Sequence, residues 1–153
     1  MKLAEALALR ADAARRVEQL RSRVVGNARH QEGETPVEDA AALLAEAGET
    51  LDGLESLIRR INRTNAQAVI DGGGTLTDAL ARRDVLRLRH SVLTSAADAA
   101  AGPAAGRQMR SELRMFSALP VRELRAQADL VAKEIREVDV LIQRSNWEVD
   151  LLD

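Results

Sequence analysis

His30, Glu32 and Glu34 fall within one short stretch, His30-Gln31-Glu32-Gly33-Glu34. Carboxylate oxygens take hard cations, and an imidazole nitrogen suits softer ones. These three residues are therefore the candidate ligands for a divalent metal ion, the one cofactor the sequence suggests. The spacing is not that of a known centre. Neither His30 nor His90 has a Glu three residues before it, so the Glu-x-x-His pairs of a carboxylate-bridged di-iron bundle are missing. There is no His-Glu-x-x-His and no calcium loop. A solvated, salt-bridged acidic loop accounts for the same residues without a ligand.

Three further groups carry polar chemistry. Asn62, Thr64 and Asn65 lie beside an apolar stripe, where Asn is a poor helix former and calls for a reason. Capping and an interhelical hydrogen bond are one reason, and a polar lining for a ligand is the other. Arg82, Arg83, Asp84, Arg87, Arg89 and His90 form a dense charged run. Arginine forks match carboxylates and phosphates, so Arg83, Asp84 and Arg87 are candidate ligand contacts, with a solvated or interface face as the simpler explanation. Asn146-Trp147 holds the lone Trp, read first as an anchor against a neighbouring helix or subunit and second as a stacking surface. Gly72-Gly73-Gly74-Thr75 could offer backbone N–H groups to an anion. It lacks the Gly-Lys-Ser/Thr of a phosphate-binding loop.

Helices must position these residues. Aliphatic residues recur every three or four positions, which predicts four helices at about 2–27, 36–67, 75–101 and 120–149. The first stripe is Leu3, Leu7, Ala14, Val17, Leu20 and Val24. Thr35-Pro36-Val37-Glu38 reads as a capping-box start for the second helix. Its stripe, Leu44, Ala47, Leu51, Leu54, Ile58, Ile61 and Asn65, alternates three and four like a coiled-coil seam. The glycine run breaks the chain, and Thr75 with Asp78 caps a third helix carrying Leu76, Leu80, Val85, Leu88, Val92 and Ala96. The fourth carries Val121, Leu124, Ala128, Val131, Ile135, Val138, Ile142 and Ser145. Residues around 105–118 read as a short strand or an irregular segment. Rods of about 40 to 48 Å joined by short connections run antiparallel, giving two helical hairpins in one all-α domain, bundled or opened to pair with another subunit.

Composition narrows the function. Apolar residues make up 46% of the chain, but Phe116 and Trp147 are its only aromatics, so the core is built of small side chains. The net charge is −2, without the basic excess or aromatic platforms of a nucleic-acid binder. There is no cysteine for disulfide or thiolate chemistry, and Met1-Lys2-Leu3-Ala4-Glu5 has no apolar leader; both agree with a cytoplasmic protein. No stretch is apolar enough for a membrane span. The charge is uneven. Glu32, Glu34, Glu38, Asp39, Glu46, Glu49, Asp52 and Glu55 come with no base between them, and Arg21, Arg23 and Arg29 are placed to meet them across a hairpin.

Together, Met1-Lys2-Leu3-Ala4-Glu5-Ala6-Leu7, Gln31-Glu32-Gly33-Glu34 with Pro36 and Glu38-Asp39, and Ile61-Asn62-Arg63-Thr64-Asn65 are similar to the DIP1984-like family of uncharacterised bacterial proteins. So are Leu76-Thr77, Arg83-Asp84, Leu86 and Ile142-Gln143-Arg144-Ser145-Asn146-Trp147. The resemblance implies an all-helical homo-oligomer, with a hexamer among the allowed states, and supplies no activity or catalytic residue. Some members carry the name septicolysin, which implies membrane lysis; this sequence has no amphipathic β-hairpin and no aromatic belt to support that.

Three functions are consistent with these observations. The first is a self-assembling homo-oligomeric structural or interaction protein, not an enzyme. The second is a metal- or anionic-ligand-binding protein or metalloenzyme using Glu32 and Glu34 with Asn62, Asn65, Arg83, Asp84 and Arg87. The third is a membrane-active cytolysin.

Overall fold

The fold is known from a computed structural model, which describes residues 1–103 and 113–153. Its helices are α1 (Leu3–Asn27), α2 (Ala40–Gln67), α3 (Leu76–Ala101) and α4 (Val121–Glu148). Among the described residues the only β structure is in isolated bridges, so the all-α reading holds. Part of the segment expected as a strand or irregular stretch, 104–112, lies outside the described residues, and 113–118 form no strand. The chain divides into two compact units, Met1–Val69 with Arg144–Asp153, and Ile70–Gln143.

In the first unit α1 and α2 form an antiparallel hairpin. Arg16 pairs with Glu46 of α2 and Arg23 with Glu38 just before it, so the chain runs back along α1. Leu20, Leu43 and Ala47 form a buried cluster with Val24 against it. The far end is tied by the C-terminal tail. Leu3 N donates to Val149 O at 3.0 Å and Leu151 N to Met1 O at 2.9 Å, which bridges Lys2 and Asp150. Leu152 N donates to the Thr64 hydroxyl at 3.0 Å, and Arg60 Nε donates to Leu152 O at 3.0 Å. Leu3, Ala6, Ile61, Thr64, Ser145 and Asn146 are buried there.

The start of α2 differs from expectation. The helix begins at Ala40, and its cap is Asp39, whose Oδ1 accepts from Ala41 N (2.9 Å) and Ala42 N (3.2 Å). Thr35 and Pro36 precede it. Glu38 is drawn away from the expected capping box by Arg23, and its backbone N–H donates to Asn27 Oδ1 at 3.0 Å. This holds the loop to the end of α1, leaving the next carboxylate to cap.

In the second unit α3 and α4 pair. Arg82 meets Glu134 at 3.1 Å, Arg87 meets Asp139 at 3.5 Å and Arg125 meets Asp98 at 3.0 Å. The α3 start is as expected: Thr75 N and Oγ1 donate to Asp78 Oδ2 (2.7 and 2.9 Å), and Asp78 N donates to Thr75 Oγ1 at 3.2 Å. The preceding turn closes with Ile70 N on Gly74 O, and Gly72, Gly73 and Gly74 all take φ near +90°. A side chain at such angles is strained.

The α4 stripe is buried or half-buried from Val121 to Ser145, as its spacing predicts. The α3 stripe is not. Leu76, Ala79, Leu86 and Ala97 are buried, while Val85, Leu88 and Val92 are exposed. In α2, Leu43, Ala47, Ile61 and Thr64 are buried, while Leu44, Leu51 and Ile58 of the expected seam face outward. Each of these helices has more apolar surface than its hairpin partner can cover.

Candidate functional site

The acidic loop is a turn. Glu34 N donates to Gln31 O at 3.0 Å around Gly33, which has φ +84°. His30 Nδ1 lies 3.0 Å from Gln31 O. His30, Glu32 and Glu34 are all exposed, and among the described residues no three His, Cys, Asp or Glu side chains gather as a metal set. The acid–base complementarity of the hairpin falls elsewhere. Glu38 accepts from Arg23 Nε at 3.0 Å, and that bond holds its carboxyl below the usual carboxylate range while raising Arg23. Arg21 instead pairs with Glu18 on its own helix at 3.5 Å.

Among the Asn candidates, Asn62 is exposed and Asn65 half-buried. Thr64 between them is the buried polar residue: its hydroxyl donates to Arg60 O at 2.8 Å and accepts from Leu152 N. Asn146 is buried in the same unit, and Trp147 beside it is 63% exposed. The indole is thus not packed away by the chain itself, and of the two anchoring surfaces the sequence suggested, a neighbouring helix does not bury it.

Arg83, Asp84 and Arg87 lie in the second unit. Arg83 Nη2 is 3.4 Å from Asp84, and both arginines reach Asp139, Arg83 at 3.9 Å and Arg87 at 3.5 Å. Both guanidiniums lie beside a carboxylate of α4. Nearby, a cavity of about 390 Å³ is lined by Gly72, Gly73, Asp78, Arg82, Glu134 and Glu137. Its acids outnumber its one base, and Asp78 and Arg82 are already bonded within the unit.

Another surface feature is apolar. A groove of about 250 Å³ between α1 and α2 is walled by Val17, Val24, Val25, Leu44 and Leu51, with Arg21 at its edge. On α3, Val85, Leu88 and Val92 are 55%, 68% and 68% exposed. Contiguous exposed apolar surface of this kind marks an interaction site more often than scattered single residues do.

The sequence pattern of a family of unknown function, DUF6847, matches residues 10–151. The chain belongs to that family. It is also similar to a functionally unknown conserved protein of Corynebacterium diphtheriae whose crystal structure is known: 41% of residues are identical, 99% of each chain is covered and the TM-score is 0.91. No curated protein matches the chain.

For this DUF6847 member, sequence reasoning missed Asp139 as the partner of Arg83 and Arg87, and Arg16 as the partner of Glu46. Asp139 follows Val138 of the α4 stripe, so its place at the edge of the helix interface was available from the spacing. The outward turn of Val85, Leu88 and Val92 carried a weaker signal: Leu86 and Ala79 form an equally regular stripe.

Proposed function

We propose that this protein is a structural or interaction protein that assembles with copies of itself through the outward apolar edges of its hairpins. The single observation that carries the reading is the exposure of Leu44, Leu51 and Ile58 on α2 at seven-residue spacing, at 63%, 48% and 36%. Seven-residue recurrence of aliphatic side chains is the requirement for one helix to seat another along a seam. The groove beside Leu44 and Leu51 offers the matching hole. Exposing this edge to water costs free energy on the order of 25 cal/mol per Å² of apolar area, which a second helix recovers.

A metal or anion site draws less support from the same residues. Arg83 and Arg87 already face Asp139, and the loop carboxylates of Glu32 and Glu34 are solvated. No helix among the described residues is long and apolar enough to cross a membrane.

Sedimentation velocity over a range of concentrations tests the proposal. One discrete species heavier than the 16.6 kDa chain is expected. Leu44→Glu with Leu51→Glu should shift it to the monomer while circular dichroism stays helical. A wild-type monomer at micromolar concentration would overturn the reading.

A further inference from the structure

The two outward stripes carry opposite charge at the same seam position. Glu55 lies four residues after Leu51 and three before Ile58; Arg89 lies four after Val85 and three before Val92. Arg82 repeats the arrangement one heptad earlier, three residues before Val85. Residues so spaced share a helix face, and in a heptad with Leu51, Ile58, Val85 and Val92 as first positions they occupy the flanking position that sets partner choice.

The charge along each stripe leans to one sign. From Ala40 to Ser56, α2 holds Glu46, Glu49, Asp52 and Glu55 and no base; Arg59 and Arg60 come only after Ile58, at the end of the stripe. Glu46 is taken by Arg16 and Glu55 lies 3.8 Å from Arg59, whereas Glu49 and Asp52 have no ion-pair partner among the described residues. From Arg82 to Arg89, α3 holds four arginines and one acid. Arg82, Arg83 and Arg87 reach acids of their own unit; Arg89 has no partner among the described residues.

We infer that the α3 stripe Val85–Leu88–Val92 of one copy seats on the α2 edge Leu44–Leu51–Ile58 of another, with Arg89 facing Asp52 and Glu55, and Arg82, held by Glu134, adding to the same positive row. This rests on the self-assembly proposed above and names the surfaces it uses. Like-with-like packing is disfavoured by the same charges. Two α2 edges would bring acidic rows together, and two α3 edges would bring arginine rows together, where like charges at flanking positions repel. Unlike packing pairs both rows. It also makes the contact heterologous, since each copy presents two different surfaces; such contacts close into a ring where the rotation closes and run on as a filament where it does not.

Charge reversal tests the pairing. One variant carries Asp52→Arg and Glu55→Arg, a second carries Arg82→Glu and Arg89→Glu, and a third carries all four changes. Each is followed by sedimentation velocity and circular dichroism beside the wild type. Each two-site variant is expected to stay helical and lose the wild-type oligomer. The four-site variant should regain it, and so should an equimolar mixture of the two-site variants, because each then offers the charge that the other lacks. If the wild type is oligomeric and both two-site variants assemble unchanged, the α2–α3 pairing is overturned and self-assembly stands. The pairing is overturned in the same way if both lose the oligomer but neither the four-site variant nor the mixture recovers it. A monomeric wild type overturns both.

Discussion

Arg23 on α1 and Glu38 before α2 form a two-point pair, with Arg23 Nε donating to both carboxylate oxygens at 3.0 and 3.2 Å and Nη2 adding a further bond. The pair fixes where the hairpin loop ends. Among the described residues, Glu38 is one of three carboxylates whose pKa is lowered by bonds that the folded state makes. Asp78 is lowered by the Thr75 backbone N–H and then the Thr75 hydroxyl, and Asp150 by Lys2 at 2.9 Å.

Acid should therefore weaken the fold through these groups. A carboxylate bound more tightly to its partner when ionised stabilises the folded state at a pH above its unfolded pKa, about 4, and that stabilisation is lost as pH falls through the lower folded value. The urea midpoint should be flat near neutrality and drop below about pH 4. Glu38→Gln with Asp78→Asn should start from a lower midpoint at pH 7 and fall less steeply in acid. An unchanged slope would show that other groups govern acid unfolding.

The cap of α2 provides a sharper contrast. Asp39→Ala removes the acceptor for two backbone N–H groups and should cost about 1 kcal/mol. Thr35→Ala, at the residue that reads as the cap in the sequence, should leave the denaturation midpoint almost unchanged. Equal losses at both sites would place the helix start where the sequence put it.

Thr64 is fully buried, and its hydroxyl joins the Arg60 carbonyl to the Leu152 N–H. Thr64→Val keeps the shape and leaves that N–H without its acceptor, a loss of about 1–3 kcal/mol. Thr64→Ser should recover most of it. Hydrogen exchange at the Leu152 amide should quicken in the Val variant and stay slow in the Ser variant.

How far the sequence disclosed this molecule follows from what each residue had to satisfy. The stripe from Val121 to Ser145 is the dominant apolar face of α4, with Leu130 and Val140 off it and exposed, so spacing alone oriented the helix. Thr75 and Asp78 need only each other, so the α3 start was legible locally. Glu38 answers to Arg23, a residue of the preceding helix, and a local capping rule could not see that competitor. The candidate residues divide in the same way. Thr64 was noticed for its polarity, but its role depends on a tail that returns from the far end of the chain. Asp139, which occupies Arg83 and Arg87, comes from a helix more than fifty residues on.

The α3 helix was the least legible of the four, and it yields the most direct prediction. Leu86 and Leu88 are two residues apart and point in different directions, the first 8% and the second 68% exposed. Two apolar stripes on one helix cannot be ranked by spacing, because each meets the three-four rule. Burial ranks them. Leu86→Ala removes packed volume and should cost about 2–5 kcal/mol in the unfolding free energy of the dilute chain. Leu88→Ala exposes no cavity within the chain and should cost about 0.5 kcal/mol or less there. Its effect belongs to association: if α3 seats on a neighbouring copy, Leu88→Ala lowers the midpoint at high protein concentration and leaves it unchanged at low concentration. Urea titrations of both variants at two concentrations at least a hundredfold apart read the difference. A Leu88→Ala loss independent of concentration would mean that α3 turns its other face to its own hairpin.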